Sequence, residues 1–131
     1  DLGAPGVAEV KALMQAYAEG FSILRHKRVF ALALHQVAEI WRYGSVVRSW
    51  LLDLTADALG RNPRLDGIAP WVADSGEGRW TVAEAIDLDV PAPVITASLI
   101  ERLRSRDTDS FADKLLAAMR NEFGGHAIRK E

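Results

Sequence analysis

The sequence predicts an all-α fold, a multi-helix domain built around one long central helix, and three observations carry that prediction. Apolar residues recur at alternating steps of three and four over long stretches, which places them along one side of a helix. No segment alternates apolar and polar residues with the period of two that marks a strand, and no Asn-Gly hairpin signal occurs. The longest periodic stretch, His35 to Leu59 (HQVAEIWRYGSVVRSWLLDLTADAL), reads as one uninterrupted helix. At ~1.5 Å per residue it would extend roughly 37 Å. Val37, Ile40, Gly44, Val47, Leu51, Leu54 and Ala58 share one of its faces, and Trp41, Val46, Trp50, Leu52 and Leu59 widen the apolar surface. A helix so wide in its apolar surface is packed on several sides. Gly44 falls within the packing face, where glycine weakens a helix and marks the close approach of another backbone.

The remaining elements follow in chain order. Asp1 to Gly6 carry Gly3, Pro5 and Gly6 and read as a loose lead, so that residues 7–131 form a single helical domain. From Val7 or Ala8 a first helix presents Val10, Leu13, Met14, Tyr17, Phe21 and Leu24 on its apolar face. The cluster RHKR, Arg25 to Arg28, falls in its last turn, where cations complement the helix dipole; a solvated helix end and an anion site are both compatible with it. After Leu59 the glycines and prolines of GRNPRLDGIAPWVADSGEGRW mark a long structured loop, with one short helical turn starting at Pro70. Loops of this length inside a compact domain are often functional. Thr81 followed by Glu84 is a capping-box pattern opening a short helix through Leu88. Pro91 and Pro93 stop that helix and start another, with Val94, Ile95, Leu99, Ile100 and Leu103 as its apolar face and Arg102, Arg104 and Arg106 at its end. Ser110 with Asp113 opens a last helix whose buried side is Phe111, Leu115, Leu116, Ala118 and Met119, and Gly124 with Gly125 closes it.

Composition narrows the function classes. The chain has 131 residues, is 49% hydrophobic and 26% charged, and carries a net charge of -2, which argues against disorder and against a dedicated nucleic-acid binder. Without cysteine there is no disulfide framework, thiolate zinc site or cysteine nucleophile, and a reducing, intracellular setting fits. No run of ~18 apolar residues occurs, and the first residues lack the pattern of a signal peptide. A soluble, cytoplasmic protein without membrane partners is expected. His26, His35 and His126 are not spaced as metal ligands, no HExxH is present, and GEGRW lacks the strand context of a nucleotide loop. Arginine remains. Arg102 near one helix end, Arg120 in the last turn of another and His126 just past two glycines could converge on an anion such as phosphate, for which the guanidinium fork is well matched. From the pattern alone, electrostatic capping of two helices is the simpler account of the same arginines.

Three segments, LHQVAEIWRYGSVVRSWLLDL, DSGEGRWTVAEAIDLDVPAPVI and FADKLLAAMRNEFGGHAI, together resemble the C-terminal all-helical domain of the decarboxylating 6-phosphogluconate dehydrogenases. The motifs WRxGxxxRS, GxGRWT and FGGH occur in the family's order, and the similarity runs from Leu13 to about Ile128. The compact SGEGRWT loop and the short segment after His126 resemble the short bacterial branch, whose members often prefer NAD over NADP.

The resemblance implies a homodimer acting in the pentose phosphate pathway. Such enzymes oxidise 6-phosphogluconate at its C3 hydroxyl by hydride transfer and then lose carbon dioxide, leaving ribulose 5-phosphate. It implies that Arg120 and His126 reach into the partner subunit's site and hold the substrate phosphate, and that Arg102 binds the same phosphate. NAD or NADP is bound in the family by an N-terminal Rossmann domain whose glycine-rich fingerprint is not among these residues, so no cofactor-binding residue is expected in this chain. The positions of the family's catalytic lysine, its neighbouring asparagine and its acid-base glutamate hold Gly3, Val7 and Val10, and Lys11 stands where a substrate-binding tyrosine is usual. Ser75 and Glu77 stand where longer members use a lysine and a threonine near substrate. No catalytic residue is therefore assigned. What is expected is a substrate-binding and dimerisation domain, inactive alone; the alternative is a non-catalytic helical dimerisation module derived from the family. Arg42 and Arg48 are expected in structural ion pairs, since charge buried beside Trp41 and Trp50 must be paired.

Overall fold

Helix α1 (Ala4–His26), not the His35–Leu59 stretch, is the element that most of the other helices are laid against. The computed structural model describes residues 3–131; Asp1 and Leu2, the start of the expected loose lead, lie outside the described residues. Ala4 to Gly6 already belong to the helix, because Pro5 falls in the first turn, where its missing N–H costs no hydrogen bond. The first half of α1 buries a stripe of small residues, Ala4, Ala8 and Ala12, spaced four apart. Those short side chains let α4 (Glu77–Asp87) and α5 (Pro93–Arg106) approach closely, and both pack on this half. The larger residues expected to be the buried face, Val10, Leu13 and Met14, are exposed instead.

The second half of α1 supports a helical hairpin, α2 (Leu34–Gly44) and α3 (Trp50–Arg61). Phe21, Ala38, Ala56 and Leu59 form its core, with Leu24, Leu34, Val37 and Trp41 packed around them, and the Phe21 and Trp41 rings lie 5.1 Å apart. The two helices run antiparallel: His35 at the start of α2 donates from Nδ1 to the carbonyl of Ala56 near the end of α3, 3.0 Å away. At the other end Arg42 Nε donates to Asp53 Oδ1 at 2.8 Å.

The expected single helix from His35 to Leu59 is thus broken between Gly44 and Trp50, and serines break it. Ser45 Oγ donates back to the Trp41 carbonyl at 2.7 Å and accepts from the Val47 N–H, so its side chain takes the place of the continuing helical ladder. Ser49 is extended at φ -165° and its Oγ accepts the Leu52 N–H at 3.1 Å, an N-cap that starts a new helix. Tyr17 of α1 fixes the turn by donating to the Val47 carbonyl at 2.9 Å and by bonding with Ser49 Oγ. Gly44 is a helix end with open space around it rather than a point of close packing. Trp50, expected in the core, is 79% exposed. Arg42 is paired with both Glu39 and Asp53 as expected, whereas Arg48 has no ion pair among the described residues.

Residues 62–76 contain no helix, so the expected turn at Pro70 is not formed. The loop is tied to α5 instead, by Ser105 Oγ accepting the Val72 N–H at 3.0 Å and by Arg102 donating to the Ala73 carbonyl. Helix α4 begins at Glu77, four residues before Thr81, which is buried inside it and donates to the Glu77 carbonyl. The capping box is superseded by Asp74, whose carboxylate accepts the Gly76 N–H at 3.1 Å and is paired with Arg79. Pro93 opens α5, and Ser110 caps α6 (Phe111–Gly124) by accepting the Asp113 N–H, both as expected. The expected buried side of α6 is not buried: no residue of this helix is, and Phe111, Leu115, Leu116 and Met119 are all exposed.

Candidate functional site

The polar residues of interest gather in two places. Around the start of α4, Arg102 lies half-buried in the seam between α1, α4 and α5, beside Ala8, Lys11, Asp74, Gly78 and Ser98. Its Nη1 is committed to the Ala73 carbonyl at 2.8 Å. Asp74, with a side chain only 3% exposed, is the anionic centre of this region. It accepts from Gly76 and pairs with Arg79, and Arg106 stands 4.0 Å from the same carboxylate while stacking over Trp71. The Arg79 hydrogen bond, followed by that of the Gly76 N–H, outweighs desolvation and holds Asp74 below the usual carboxylate range.

Beside it, Lys11 reaches from α1 to the loop. Its Nζ donates to Ser75 Oγ at 2.9 Å and to Glu77 Oε2 at 3.0 Å, and Ser75 Oγ also donates to Glu77. Glu77 is held down to about 2, first by the Ser75 hydroxyl, then by its own backbone N–H, then by Lys11. Lys11, Ser75 and Glu77, three of the positions at which the sequence is expected to depart from the family pattern, are therefore in mutual contact. No local signal in the sequence pairs residues so far apart, and this network is what sequence reasoning missed.

The second place is the end of α6. Arg120 and His126 line one cavity of about 360 Å³ with Leu116, Met119 and Phe123. The FGGH turn accounts for that proximity. Gly125 sits at φ 64°, a conformation that side chains rarely adopt, and its N–H bonds the Asn121 carbonyl at 2.8 Å to close the helix. The chain then doubles back, held by Asn121 Nδ2 donating to the His126 carbonyl at 2.9 Å. The His126 ring passes so close to Gly124 that an added Cβ would meet it at 2.8 Å. Neither Arg120 nor the His126 ring has a hydrogen bond or ion pair among the described residues. The structure thus brings Arg120 and His126 together and leaves Arg102 at a different cavity, already bonded to backbone.

Among the described residues no strand occurs, so the strand, glycine turn and helix that cradle a dinucleotide pyrophosphate are not found among them. No cluster of three or more His, Asp or Glu positioned to hold a metal is present among them. No helix among them is long and apolar enough to cross a membrane.

No family model matches the chain. Individual relatives do. The Bacillus subtilis protein YqeC, whose own assignment as a 6-phosphogluconate dehydrogenase is provisional, is 46% identical over 119 residues, covering 91% of this chain and 40% of the relative. A Haloferax volcanii protein named as an NAD-dependent, decarboxylating 6-phosphogluconate dehydrogenase is 42% identical over 121 residues, covering 92% of this chain and 40% of its own length. A Bacillus subtilis protein named as an NADP-dependent, decarboxylating 6-phosphogluconate dehydrogenase is 36% identical over 101 residues, covering 70% of this chain and 21% of the relative. The chain spans about two fifths of the length of the first two. Matched along nearly all of its residues, and with helices as the only regular elements among the described residues, the chain belongs with the 6-phosphogluconate dehydrogenases and corresponds to their C-terminal part.

Proposed function

We propose that this chain is the substrate-binding and dimerisation portion of a decarboxylating 6-phosphogluconate dehydrogenase, an enzyme of the pentose phosphate pathway in the cytoplasm. In this reading Arg120 and His126 hold the substrate's phosphate group, Arg102 completes that site from a second subunit, and NAD or NADP is supplied by another part of the enzyme. One observation carries the reading. The unpaired Arg120 and His126 share a cavity at α6, a helix that buries none of its residues among the described residues and so offers both its apolar side and the Arg120 guanidinium to another chain. Charge-assisted bonds from a guanidinium fork match a phosphate's geometry, and the apolar side matches the buried centre of a homodimer interface. Arg102, bonded to backbone at the start of the α4 region, becomes a ligand by turning its remaining N–H donors to the phosphate.

Titration of the dimer with 6-phosphogluconate in a calorimeter tests this. Weak binding is expected, abolished by Arg120→Ala; equal heats from the two proteins would sink the phosphate assignment. The second reading, a non-catalytic dimerisation module, is favoured by Gly3, Val7 and Val10 at the family's catalytic positions. A dimer that gives no heat with 6-phosphogluconate supports it.

A further inference from the structure

The basic cluster at the end of α1 is not only a solvated helix end. Arg25 and His26 in the last turn are accounted for by the helix dipole, and His26 Nδ1 donates to the Ser22 carbonyl at 2.7 Å. Two further cations have no such explanation. Arg28 lies beyond the helix end, in a short turn of 3-10 helix (Arg28–Phe30), and Arg64 arrives from the loop after α3. All four line one cavity of about 380 Å³, together with Leu34 and Pro63, and no carboxylate lines it. None of Arg25, Arg28 and Arg64 has an ion pair or hydrogen bond among the described residues.

Arg25, Arg28 and Arg64 are exposed, and like charges gathered without counter-charges repel one another, a repulsion that solvent screens in part and a bound anion relieves. The backbone carrying Arg64 is held in place for that role. Asn62 Nδ2 donates to the Asp66 carbonyl at 2.9 Å and Asn62 Oδ1 accepts the Asp66 N–H at 3.1 Å, clamping the turn from both sides. The start of α2 points the same way: Leu34 is its first residue, Ala33 provides no side-chain cap, and no acid occupies its first turn. Ala33 and Leu34 line the cavity, so it lies at a helix N-terminus, where the helix dipole favours an anion.

We infer that Arg25, Arg28 and Arg64 form a binding site for a compact polyanion carrying adjacent phosphate groups, separate from the cavity of Arg120 and His126. Three guanidinium groups carry more positive charge than a single phosphate monoester, about -1.5 to -2 at neutral pH, can balance, and a diphosphate supplies both more charge and oxygens to each. The diphosphate can be free or part of a nucleotide, since both present the same two groups.

Calorimetric titration of the whole chain with inorganic pyrophosphate and with adenosine diphosphate tests the site. Binding of at least one probe is expected, weakened about tenfold or more by Arg64→Ala and by Arg28→Ala and unaffected by Arg120→Ala. Circular dichroism of each variant confirms that the fold is kept. Equal affinities assign recognition to the phosphates alone, and tighter binding of adenosine diphosphate assigns the site to a nucleotide; both support the inference. Absence of heat with both probes, or a signal lost in Arg120→Ala and kept in Arg64→Ala, overturns it.

Discussion

Lys11 of α1 and Glu77, the first residue of α4, form an ion pair 3.0 Å long whose two side chains are 11% and 27% exposed. Ser75 bridges them from the loop, so this contact ties the long loop to two helices at once. The Glu77 carboxyl is held down to about 2 from an ordinary value of 4.5. A lowered carboxylate stabilises the fold fully above its unfolded value, and that contribution is lost as pH falls from about 4.5 through about 2. Glu77→Gln is therefore expected to lower the melting temperature at neutral pH and to flatten its fall below pH ~4.5. Thermal melts from pH 7 downward check this, and parallel curves for the two proteins would contradict it.

The alanine stripe of α1 leaves no room for larger side chains. Ala8, 1% exposed, faces α4 and α5. Ala8→Leu is expected to cost about 1–3 kcal/mol in urea unfolding, as overpacked cores do. Val10→Ala on the exposed side of the same helix is expected to change stability by less than about 0.5 kcal/mol in the monomer.

Ser49 determines where the α2–α3 hairpin turns. Ser49→Ala removes the N-cap to Leu52 and the bond with Tyr17 together, with an expected loss of about 1 kcal/mol or more. A shift of the urea midpoint at constant slope is the readout.

Helix α6 separates assembly from folding. Leu115 and Leu116 are exposed in the single chain. If α6 forms the proposed dimer interface, the double change Leu115→Ser and Leu116→Ser is expected to convert that proposed dimer to monomer in sedimentation velocity. It should leave the melting of dilute monomer within about 2–4 °C of the parent. A variant that stays dimeric would remove α6 from the proposed interface.

The sequence made the helix ends legible wherever the signal was local. Pro93 and the Ser110 cap stand where the sequence places them, because each depends on residues one to four positions away. The misreadings share a different cause. Periodicity runs unbroken from His35 to Leu59, and nothing in apolar spacing distinguishes a serine that continues a helix from Ser45, whose hydroxyl takes over the ladder. Tyr17, a residue of another helix, helps settle that turn. Similarly, what covers an apolar face lies beyond local pattern: α4 and α5 cover the alanine side of α1 rather than the side of Val10, Leu13 and Met14, and among the described residues nothing buries any residue of α6. At the candidate site, FGGH located the Arg120 and His126 pair, whereas the link from Lys11 to Ser75 and Glu77 depends on how α1 meets α4 and has no local trace.

One rod carries two separate loads. The alanines of α1 hold α4 and α5 at one end, and Phe21 holds the hairpin at the other. Cohesion in this molecule is strung along an axis rather than gathered at a centre. Damage to one end therefore reaches the other through α1 and through the loop that leads from the hairpin to α4 and is tied to α5, and the middle of α1 is where the two ends are kept in register.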